Sequence, residues 1–200
     1  APELFAYSFN HHRMSLDIRE RLKLPESERE TLASRLRALG GLEEFVTIDT
    51  CNRWEIYGVA SAAHVADRVW DCIADAFPVH DSQLEELVSR YRESRMIQHL
   101  FEVTSGVDSQ MVGETEILGQ VKSAFESAGN ENTVGIGLNR VFTRAFQAAK
   151  WARTHTMIGR GQVSIGNVSV DLATRIFGEL DACKVLLVGS GEVGRLTAQA

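Results

Sequence analysis

The sequence predicts an α+β fold: a small β-sheet with helices on one face, then a helical bundle, then the first strand and helix of a nucleotide-binding α/β domain. Three observations lead to this prediction. Two β-type runs flank a tight turn at residues 50–52, and apolar residues at helical spacing dominate residues 93–177. A short apolar run followed by a glycine-rich turn occupies residues 184–194.

The first strands are predicted from branched and aromatic residues, which suit a half-buried pleated surface. The helices beside them show apolar residues three or four positions apart, and Pro25 and the Gly40-Gly41 pair end the first two. The order of strand, helices, two strands and helix favours one sheet with its helices packed on one face. The predicted strands are 4–9, 43–49 and 53–59, and the predicted helices are 15–24, 27–39 and 61–77.

Beyond a polar linker around residues 78–82 the pattern is helical, and we expect a bundle. The predicted helices are 93–104, 116–127, 138–158 and 163–177. The expected boundaries are a first domain at 1–160, a linker helix and the start of a second domain at 161–200, and, within the first domain, an α+β subdomain at 1–78 and a helical subdomain at 90–160.

Composition is typical of a water-soluble globular protein, with 44% hydrophobic and 24% charged residues in 200. No apolar run approaches the ~20 residues that span a membrane, and no leader opens the chain, so no membrane association is expected. The three cysteines lack CxxC spacing. They indicate neither a disulfide framework nor a metal site, and they fit a reducing, cytoplasmic compartment.

The net charge of −6 is unevenly distributed. Residues 132–170 contain no Asp or Glu but five Lys and Arg, so the rest of the chain carries −11. A basic segment in an acidic protein can meet a phosphate backbone or a cofactor phosphate. A solvated helix face is the commoner explanation, and the charge alone leaves both open.

The turn between the second and third strands contains Cys51 and Asn52. Asn tolerates the left-handed conformations of tight turns, so the thiol is expected at an exposed tip. Arg53 places a positive charge nearby, which favours the nucleophilic thiolate. The alternative for Cys51 is a small buried apolar residue. Cys72, on the apolar face of helix 61–77, is expected to be buried and inert.

His99 lies on the border of the apolar face of helix 93–104, where a histidine is usually a satisfied residue at the edge of the core. Further on, Gly189, Gly191 and Gly194 form G-x-G-x-x-G between a predicted strand and a helix. That context indicates a Rossmann-type dinucleotide site, where the glycines let the backbone approach a pyrophosphate. The ribose-reading residue lies ~20 residues further on in such folds. We therefore expect a piece of a longer enzyme with little cofactor affinity of its own.

Two long motifs carry a resemblance to a known family. Residues 50–57 match T-C-N-R-T-E-I/L-Y except at Trp54. Residues 105–122 match S-G-L-D-S-x-x-x-G-E-P-Q-I-L-G-Q-V-K except at Val107, Thr115 and Glu116. With Asn10-His11 and residues 18–21 near the start, these motifs resemble the glutamyl-tRNA reductase family over nearly the whole chain.

The resemblance implies that residues 1–160 form a two-part catalytic domain, followed by an NADPH-binding domain and a C-terminal dimerisation domain that would make the full protein a homodimer. In the family a cysteine attacks the ester of glutamyl-tRNA, and hydride from NADPH reduces the thioester to glutamate-1-semialdehyde. This is the first step of tetrapyrrole (5-aminolevulinate) biosynthesis, used for haem. The implied partners are glutamyl-tRNA(Glu) and glutamate-1-semialdehyde aminomutase.

Carried over by motif position, the resemblance implies that Cys51 is the nucleophile and His99 is important for activity. The residues implied to line the glutamate pocket are Thr50, Asn52, Arg53, Ser109, Glu114, Thr115, Glu116 and Gln120. Those implied to contact NADPH are Gly189, Ser190, Gly191, Glu192, Val193 and Gly194.

Within that pocket Arg53 is expected to clamp the substrate carboxylate through a bidentate pair. Glu114 is expected to meet the ammonium group of the substrate. At position 116 the family has Gln, and an acceptor-only Glu leaves the role of that position open.

Two other functions stay open. One is a non-catalytic tRNA- or nucleotide-binding relative that keeps the fold and serves regulation. The other is an aldehyde-dehydrogenase-like enzyme that forms a thiohemiacetal on a cysteine. The intact Cys51 and Arg53 favour a catalytic protein over a binding one.

Overall fold

The computed structural model describes residues 2–79, 81–114, 116–159, 165–181, 183–189 and 192–199. Its strands form one antiparallel sheet with the order β2-β3-β1-β4. The strands are β1 (Glu3–Asn10), β2 (Leu42–Asp49), β3 (Arg53–Ala60) and β4 (Ser89–Arg92). The three strands predicted from branched and aromatic residues are confirmed.

The helices follow the apolar spacing of the sequence, and the predicted segments are confirmed with shifts of a few residues at their ends. In the first part they are α1 (Leu16–Arg21), α2 (Glu26–Arg37), α3 (Ala63–Ala76) and α4 (Asp81–Leu87). In the second part they are α5 (Glu93–Ser105), α6 (Glu116–Asn130), α7 (Ile136–His155), α8 (Ile165–Phe177) and α9 (Glu192–Gln199). A 3₁₀ turn, Met157–Gly159, follows α7.

One face of the sheet packs on α2 and α3 through a core of apolar and aromatic side chains. Side chains alternate across a strand, so every second residue of β1 and β3 points to this face. Aromatic rings dominate it, with Phe9 and Trp54 at a centroid distance of 6.1 Å and Trp54 and Phe77 at 5.2 Å. The strand residues of this core are Phe5, Tyr7, Phe9, Phe45, Trp54, Ile56 and Ala60.

The opposite face of the same sheet packs on α5, α6 and α7. The prediction of helices on one face only is therefore wrong, because the predicted bundle covers the second face. Every residue of β3 is buried, which two covered faces require. The domain boundaries stay a prediction. The strand residues of this second core are Ala6, Val46, Ile48, Tyr57 and Val59.

Two short elements escaped the sequence prediction. Strand β4 has four residues, lies at the sheet edge and carries two arginines, so its apolar pattern is too weak to read. Helix α4 occupies part of the segment expected to be a polar linker.

The strand predicted at residues 184–188 is absent from the structure, and Val185, Leu186 and Val188 are exposed. A strand exists only when a neighbour completes its hydrogen bonds, and no described residue pairs with this segment. The Rossmann-type start of a second domain is thus not confirmed. Helices α8 and α9, which flank the segment, contact each other. Of the helices that the structure describes, none has the length and apolar character to cross a membrane.

Candidate active site

Cys51 is exposed at the tip of the turn between β2 and β3, as the turn residues predicted. The turn is closed by Thr50, whose backbone N–H donates to the Arg53 carbonyl at 2.9 Å. Its hydroxyl oxygen Oγ1 accepts from the backbone N–H groups of Asn52 at 3.3 Å and Arg53 at 3.2 Å. Local bonds of this kind, between a side chain and the backbone of nearby residues, fix tight turns. The thiol is therefore presented to solvent on an ordered support.

Arg53, two residues after the cysteine, is only 3% exposed. Its Nη1 lies 2.9 Å from Glu55 Oε1 and 3.1 Å from Asp108 Oδ2, and its Nη2 donates to the Asp108 carbonyl. Burial by itself would lower the pKa of Arg53, but the charges of Glu55 and Asp108 outweigh it and raise the pKa. Both terminal nitrogens of the guanidinium thus already donate to acceptors of the protein, and the bidentate clamp on a substrate carboxylate stays a prediction.

Glu55 is completely buried and accepts hydrogen bonds from four side chains. They are Ser8 Oγ at 2.6 Å, Arg53 Nη1 at 2.9 Å, Tyr57 OH at 2.7 Å and His99 Nε2 at 3.0 Å. Burial would raise the pKa of Glu55, yet the charges of His99 and Arg53 and the hydrogen bonds together hold it far below its ordinary value. An ionised carboxylate therefore lies under the cysteine turn.

His99, at 3% exposed, projects from α5 into this cluster. Its ring stacks on Tyr91 with a centroid distance of 4.1 Å and an interplanar angle of 14°. Because the ionised Glu55 only accepts, we assign the proton on His99 to Nε2. Nδ1 is then the nitrogen left for other chemistry. The expected core-edge histidine is thus a buried residue that an ionic partner orients.

A second set of bonds ties this cluster to the loops after β1 and α5. His12 Nε2 lies 2.7 Å from Asp108 Oδ1, and Asp108 Oδ2 pairs with Arg53. Asn10 accepts from the His12 backbone N–H at 3.1 Å and donates to Ser8 Oγ at 3.0 Å. Both acidic and basic side chains therefore hold the loop that follows α5 against the cysteine turn.

Four buried polar atoms near these loops have no partner among the described residues: Ser109 Oγ, Arg19 Nε, His11 Nδ1 and Arg153 Nε. Arg19 nevertheless reaches the turn, because its Nη1 donates to Asn52 Oδ1. The pKa of His11 is lowered, first by burial and then by the positive charges of His12 and Arg53. Unsatisfied buried polar groups are rare in proteins. These atoms are therefore candidates for hydrogen bonds to a polar ligand.

The structure separates the predicted pocket residues into two sets. Thr50, Asn52 and Arg53 form the cysteine turn, and Ser109 follows Asp108 on the loop bonded to it. In contrast, Glu116 and Gln120 line a groove of about 1150 Å³ between α2 and α6.

Another predicted pocket residue, Glu114, lies on the same loop as Asp108 and Ser109. Glu114 accepts from Arg153 Nη2 through its backbone carbonyl. Thr115 lies outside the described residues.

The glycine motif keeps part of its expected local geometry. Gly189 has a φ of +121°, which glycine adopts readily, and a Cβ on Gly194 would lie 2.6 Å from the Gly189 carbonyl oxygen. A side chain at position 194 would therefore clash with the backbone of Gly189, and α9 begins at Glu192, followed by Val193. Ser190 and Gly191 lie outside the described residues.

Sequence reasoning did not assign any role to Ser8, Asn10, Glu55, Tyr57 or Asp108. One signal was present, since Glu55 lies between Trp54 and Ile56 in a run whose only other charged residue is Arg53. A carboxylate inside a buried strand is expensive unless it is paired, so such a residue indicates a paired site.

An exposed thiol on a turn, supported by a buried ionic cluster, defines a candidate thiol site. A family model described as the N-terminal domain of glutamyl-tRNA(Glu) reductase matches residues 7–156. The chain therefore belongs to the glutamyl-tRNA reductase family, as its motifs suggested.

Similar proteins agree with this assignment. A glutamyl-tRNA reductase of Listeria monocytogenes serotype 4b (strain CLIP80459) is 38% identical over 98% of this chain and 45% of its own length. One from Nitratidesulfovibrio vulgaris (strain DSM 19637 / Miyazaki F) is 39% identical over 98% and 44%. The solved glutamyl-tRNA reductase of Methanopyrus kandleri superposes with a TM-score of 0.71 at 35% identity, covering 98% and 45%. The chain thus spans less than half the length of these relatives.

Proposed function

We propose that this chain provides the substrate site of an NADPH-dependent glutamyl-tRNA reductase, with Cys51 as its nucleophile. The observation that carries the proposal is the exposed Cys51 on a turn that Arg53 anchors through its bonds to Glu55 and Asp108. The names of the relatives supply the substrate, and a thiol beside an oriented histidine and unpartnered polar donors suits acyl transfer from an ester.

In the proposed reaction the Cys51 sulfur attacks the carbonyl carbon of the glutamyl ester. A carbon–sulfur bond forms and the ester carbon–oxygen bond breaks. The 3′-terminal ribose oxygen of the tRNA leaves and takes a proton, and the glutamyl group remains as a thioester. Thioesters accept hydride more readily than oxygen esters, which is the advantage of the covalent step. NADPH, when bound, supplies that hydride, and the Cys51 thiolate leaves as glutamate-1-semialdehyde is released.

His99 is the proposed proton carrier of this site. With Nε2 bonded to Glu55 at 3.0 Å, the ring has a fixed orientation. Nδ1 is then the nitrogen available to pass a proton to the departing ribose oxygen. Glu55 also compensates the positive charge of a protonated ring. We assign Glu55 as a positioning residue, because its four partners are all side chains of this protein.

The glutamate pocket is proposed around the turn and the loop that holds Asp108. Ser109 Oγ and Arg19 Nε are buried atoms without a described partner, so a substrate carboxylate would satisfy both. Arg53 then shapes the pocket by fixing Asp108 rather than by meeting the substrate itself. Glu114 as the ammonium partner, and Thr115, Glu116 and Gln120 as further pocket residues, stay predictions.

The NADPH site is proposed at residues 189–194. The close approach of Gly194 to the Gly189 carbonyl, and the helix that begins at Glu192, fit a pyrophosphate held at a helix N-terminus. The other partners implied by the family, namely an aminomutase that takes the aldehyde and a second subunit, belong to the same proposal.

The proposal is tested by incubating the chain with glutamyl-tRNA and measuring the intact protein mass. We expect a gain of one glutamyl group that hydroxylamine removes, and Cys51→Ser should abolish it while the circular dichroism spectrum stays unchanged. Cys72→Ser and Cys183→Ser are the matched controls and should still be acylated. Acylation that persists in Cys51→Ser would remove Cys51 as the nucleophile.

A non-catalytic tRNA-binding relative is the second candidate, and the basic face of α7 favours it. The same experiment separates the two functions, because a binding protein would retain glutamyl-tRNA on a filter without any gain in protein mass.

A further inference from the structure

The solvent face of α7 is positively charged along its length. Arg140, Arg144 and Lys150 are exposed on it, and none of them lies within ion-pair distance of a carboxylate that the structure describes. The helix contains no Asp or Glu, nor does the surrounding sequence from 132 to 170. This helix face is therefore positively charged although the net charge of the chain is −6.

An aromatic pair ends this face. Trp151 is 60% exposed, although tryptophan is usually well buried. Its ring stacks on His155 with a centroid distance of 4.8 Å and an interplanar angle of 14°. His155 Nδ1 lies 2.9 Å from the Trp151 carbonyl oxygen, so it donates there and its ring is held in place. The result is a preordered, solvent-facing pair of flat rings.

The same end of α7 contacts the loop of residues 106–114. Arg153 Nη2 donates to the Glu114 carbonyl, and in the turn after α7 the Ile158 carbonyl oxygen lies so close to Gly113 that a Cβ there would clash. That loop contains Asp108, which pairs with Arg53 beside the cysteine turn. The aromatic pair therefore belongs to the helix end that supports the wall of the candidate site.

From these observations we propose that Trp151 and His155 form a stacking platform for an unpaired base at the 3′ end of the RNA substrate, and that Arg140, Arg144 and Lys150 bind its phosphates. The inference rests on the proposed function, since the glutamyl ester is carried by the 3′-terminal ribose. That ribose must reach Cys51, so the adjoining unpaired nucleotides must pass over neighbouring surface.

Charge and geometry together favour RNA over a protein partner. An exposed apolar ring alone suits either, but a row of unpaired cations leading to flat rings is the combination that single-stranded nucleic acid binds. The helix has 20 residues and spans about 30 Å, which is the length of several nucleotides.

The stacking half of the proposal is tested with two probes, an uncharged tRNA with an intact 3′ end and the same tRNA lacking its last three nucleotides. Trp151→Leu should weaken binding of the intact tRNA by about 5- to 100-fold, the loss of one base–aromatic stack, and should leave binding of the shortened tRNA unchanged. Trp151→Phe, which keeps a flat ring, should retain most of the affinity.

Each other outcome overturns this half. If Trp151→Leu binds the intact tRNA as the wild type does, no base stacks there. If both tRNAs lose affinity equally, the contact is not with the 3′ end. If Trp151→Leu and Trp151→Phe bind the intact tRNA equally well, and Trp151 is instead needed to bind another protein, the surface is an apolar docking site for that protein.

The phosphate half is tested by the salt dependence of tRNA binding. Replacing Arg140, Arg144 and Lys150 together by Gln should reduce the slope of log Kd against log salt concentration by about two to three, one unit or slightly less for each lost phosphate contact. The matched control is Arg68→Gln. Arg68 is exposed on α3, the helix that packs on the opposite face of the sheet, so its replacement should leave the slope unchanged. An unchanged slope in the triple variant would exclude the helix face.

Failure of the proposed function is distinguishable from failure of this inference. A glutamate α-thioester without any RNA tests Cys51 directly, and Trp151→Leu should be acylated by it at the wild-type rate. If the wild type is not acylated, the nucleophile assignment fails whatever the binding data show. If the thioester acylates the wild type normally but Trp151→Leu slowly, Trp151 supports the cysteine site itself and does not act by binding RNA.

Discussion

The two faces of the central sheet use the same strands for different purposes. On the face covered by α2 and α3, the buried side chains of β1 and β3 are apolar or aromatic from end to end. On the face covered by α5 and α7, apolar residues give way to Ser8, Arg53 and Glu55 where the strands approach the cysteine turn. The first face, named the dry face, is an apolar and aromatic core. The second, named the charged face, carries an ionic cluster at the end nearest the cysteine turn.

This difference indicates where stability and chemistry are separated. Because side chains alternate along a strand, Trp54 packs on the dry face while its neighbours Arg53 and Glu55 enter the charged cluster. The dry face can fix the position of the backbone, so the cluster on the other face acts from a rigid support. The following variants test whether the two faces are as independent as this arrangement implies.

The largest effect on stability is expected for Glu55→Gln. The substitution leaves Arg53 and His99 buried without their counter-charge, and removing one partner of a buried ion pair costs ~3–5 kcal/mol of the free energy of unfolding. Denaturant unfolding measures the loss, and the alkylation rate of Cys51 should change with it. A loss below ~1 kcal/mol would mean that the cluster does not hold the turn.

Glu131→Gln is the matched control, because Glu131 pairs with Arg37 at the surface and such pairs contribute ~0–1 kcal/mol. Acid titration separates the two carboxylates further. The folded-state pKa of Glu55 is depressed, so its stabilisation is complete above its ordinary pKa of 4.5 and is lost as the pH falls below that value. The stability difference between the wild type and Glu55→Gln should therefore narrow below pH 4.5.

The sequence predicted the dry face well and the charged face poorly, for one physical reason. Runs of branched and aromatic residues identified the strands, and helical spacing identified the helices that cover them. Such a composition does not reveal whether a polar residue of the strand faces solvent or a second layer, so the Glu55 side of β3 was not recognised as buried. The error about helices on one face and the omission of Glu55 are thus the same error.

The candidate site divides in a similar way. Turn chemistry placed Cys51 at an exposed tip, which the structure confirms, because a turn is determined by a few adjacent residues. The bonds from Arg53 to Asp108 and from Glu55 to His99 join residues 55 and 44 positions apart. Pairings over such distances depend on how the layers pack, and single-chain spacing carries no information about them.

A second variant tests the dry face. Cys72→Ser places a hydroxyl in the apolar core of α3 and should lower the free energy of unfolding by ~1–3 kcal/mol, because the hydroxyl has no assured partner there. The alkylation rate of Cys51 should not change, since Cys72 belongs to the opposite face. Faster labelling of Cys72 than of Cys51 in the native wild type would contradict the assignment of both thiols.

The smallest effect is expected at the turn itself. Thr50→Val keeps the shape of the side chain but removes the oxygen that accepts from the Asn52 and Arg53 backbone N–H groups. Both bonds are longer than 3.1 Å and the residue is partly open to water, so we expect a loss of ~0.5–1.5 kcal/mol, less than for Glu55→Gln. Thr50→Ser, which keeps the oxygen, should behave as the wild type does in both unfolding and Cys51 alkylation. If Thr50→Val costs more than Glu55→Gln, the turn is held chiefly by its own hydroxyl, and the buried cluster serves His99 alone.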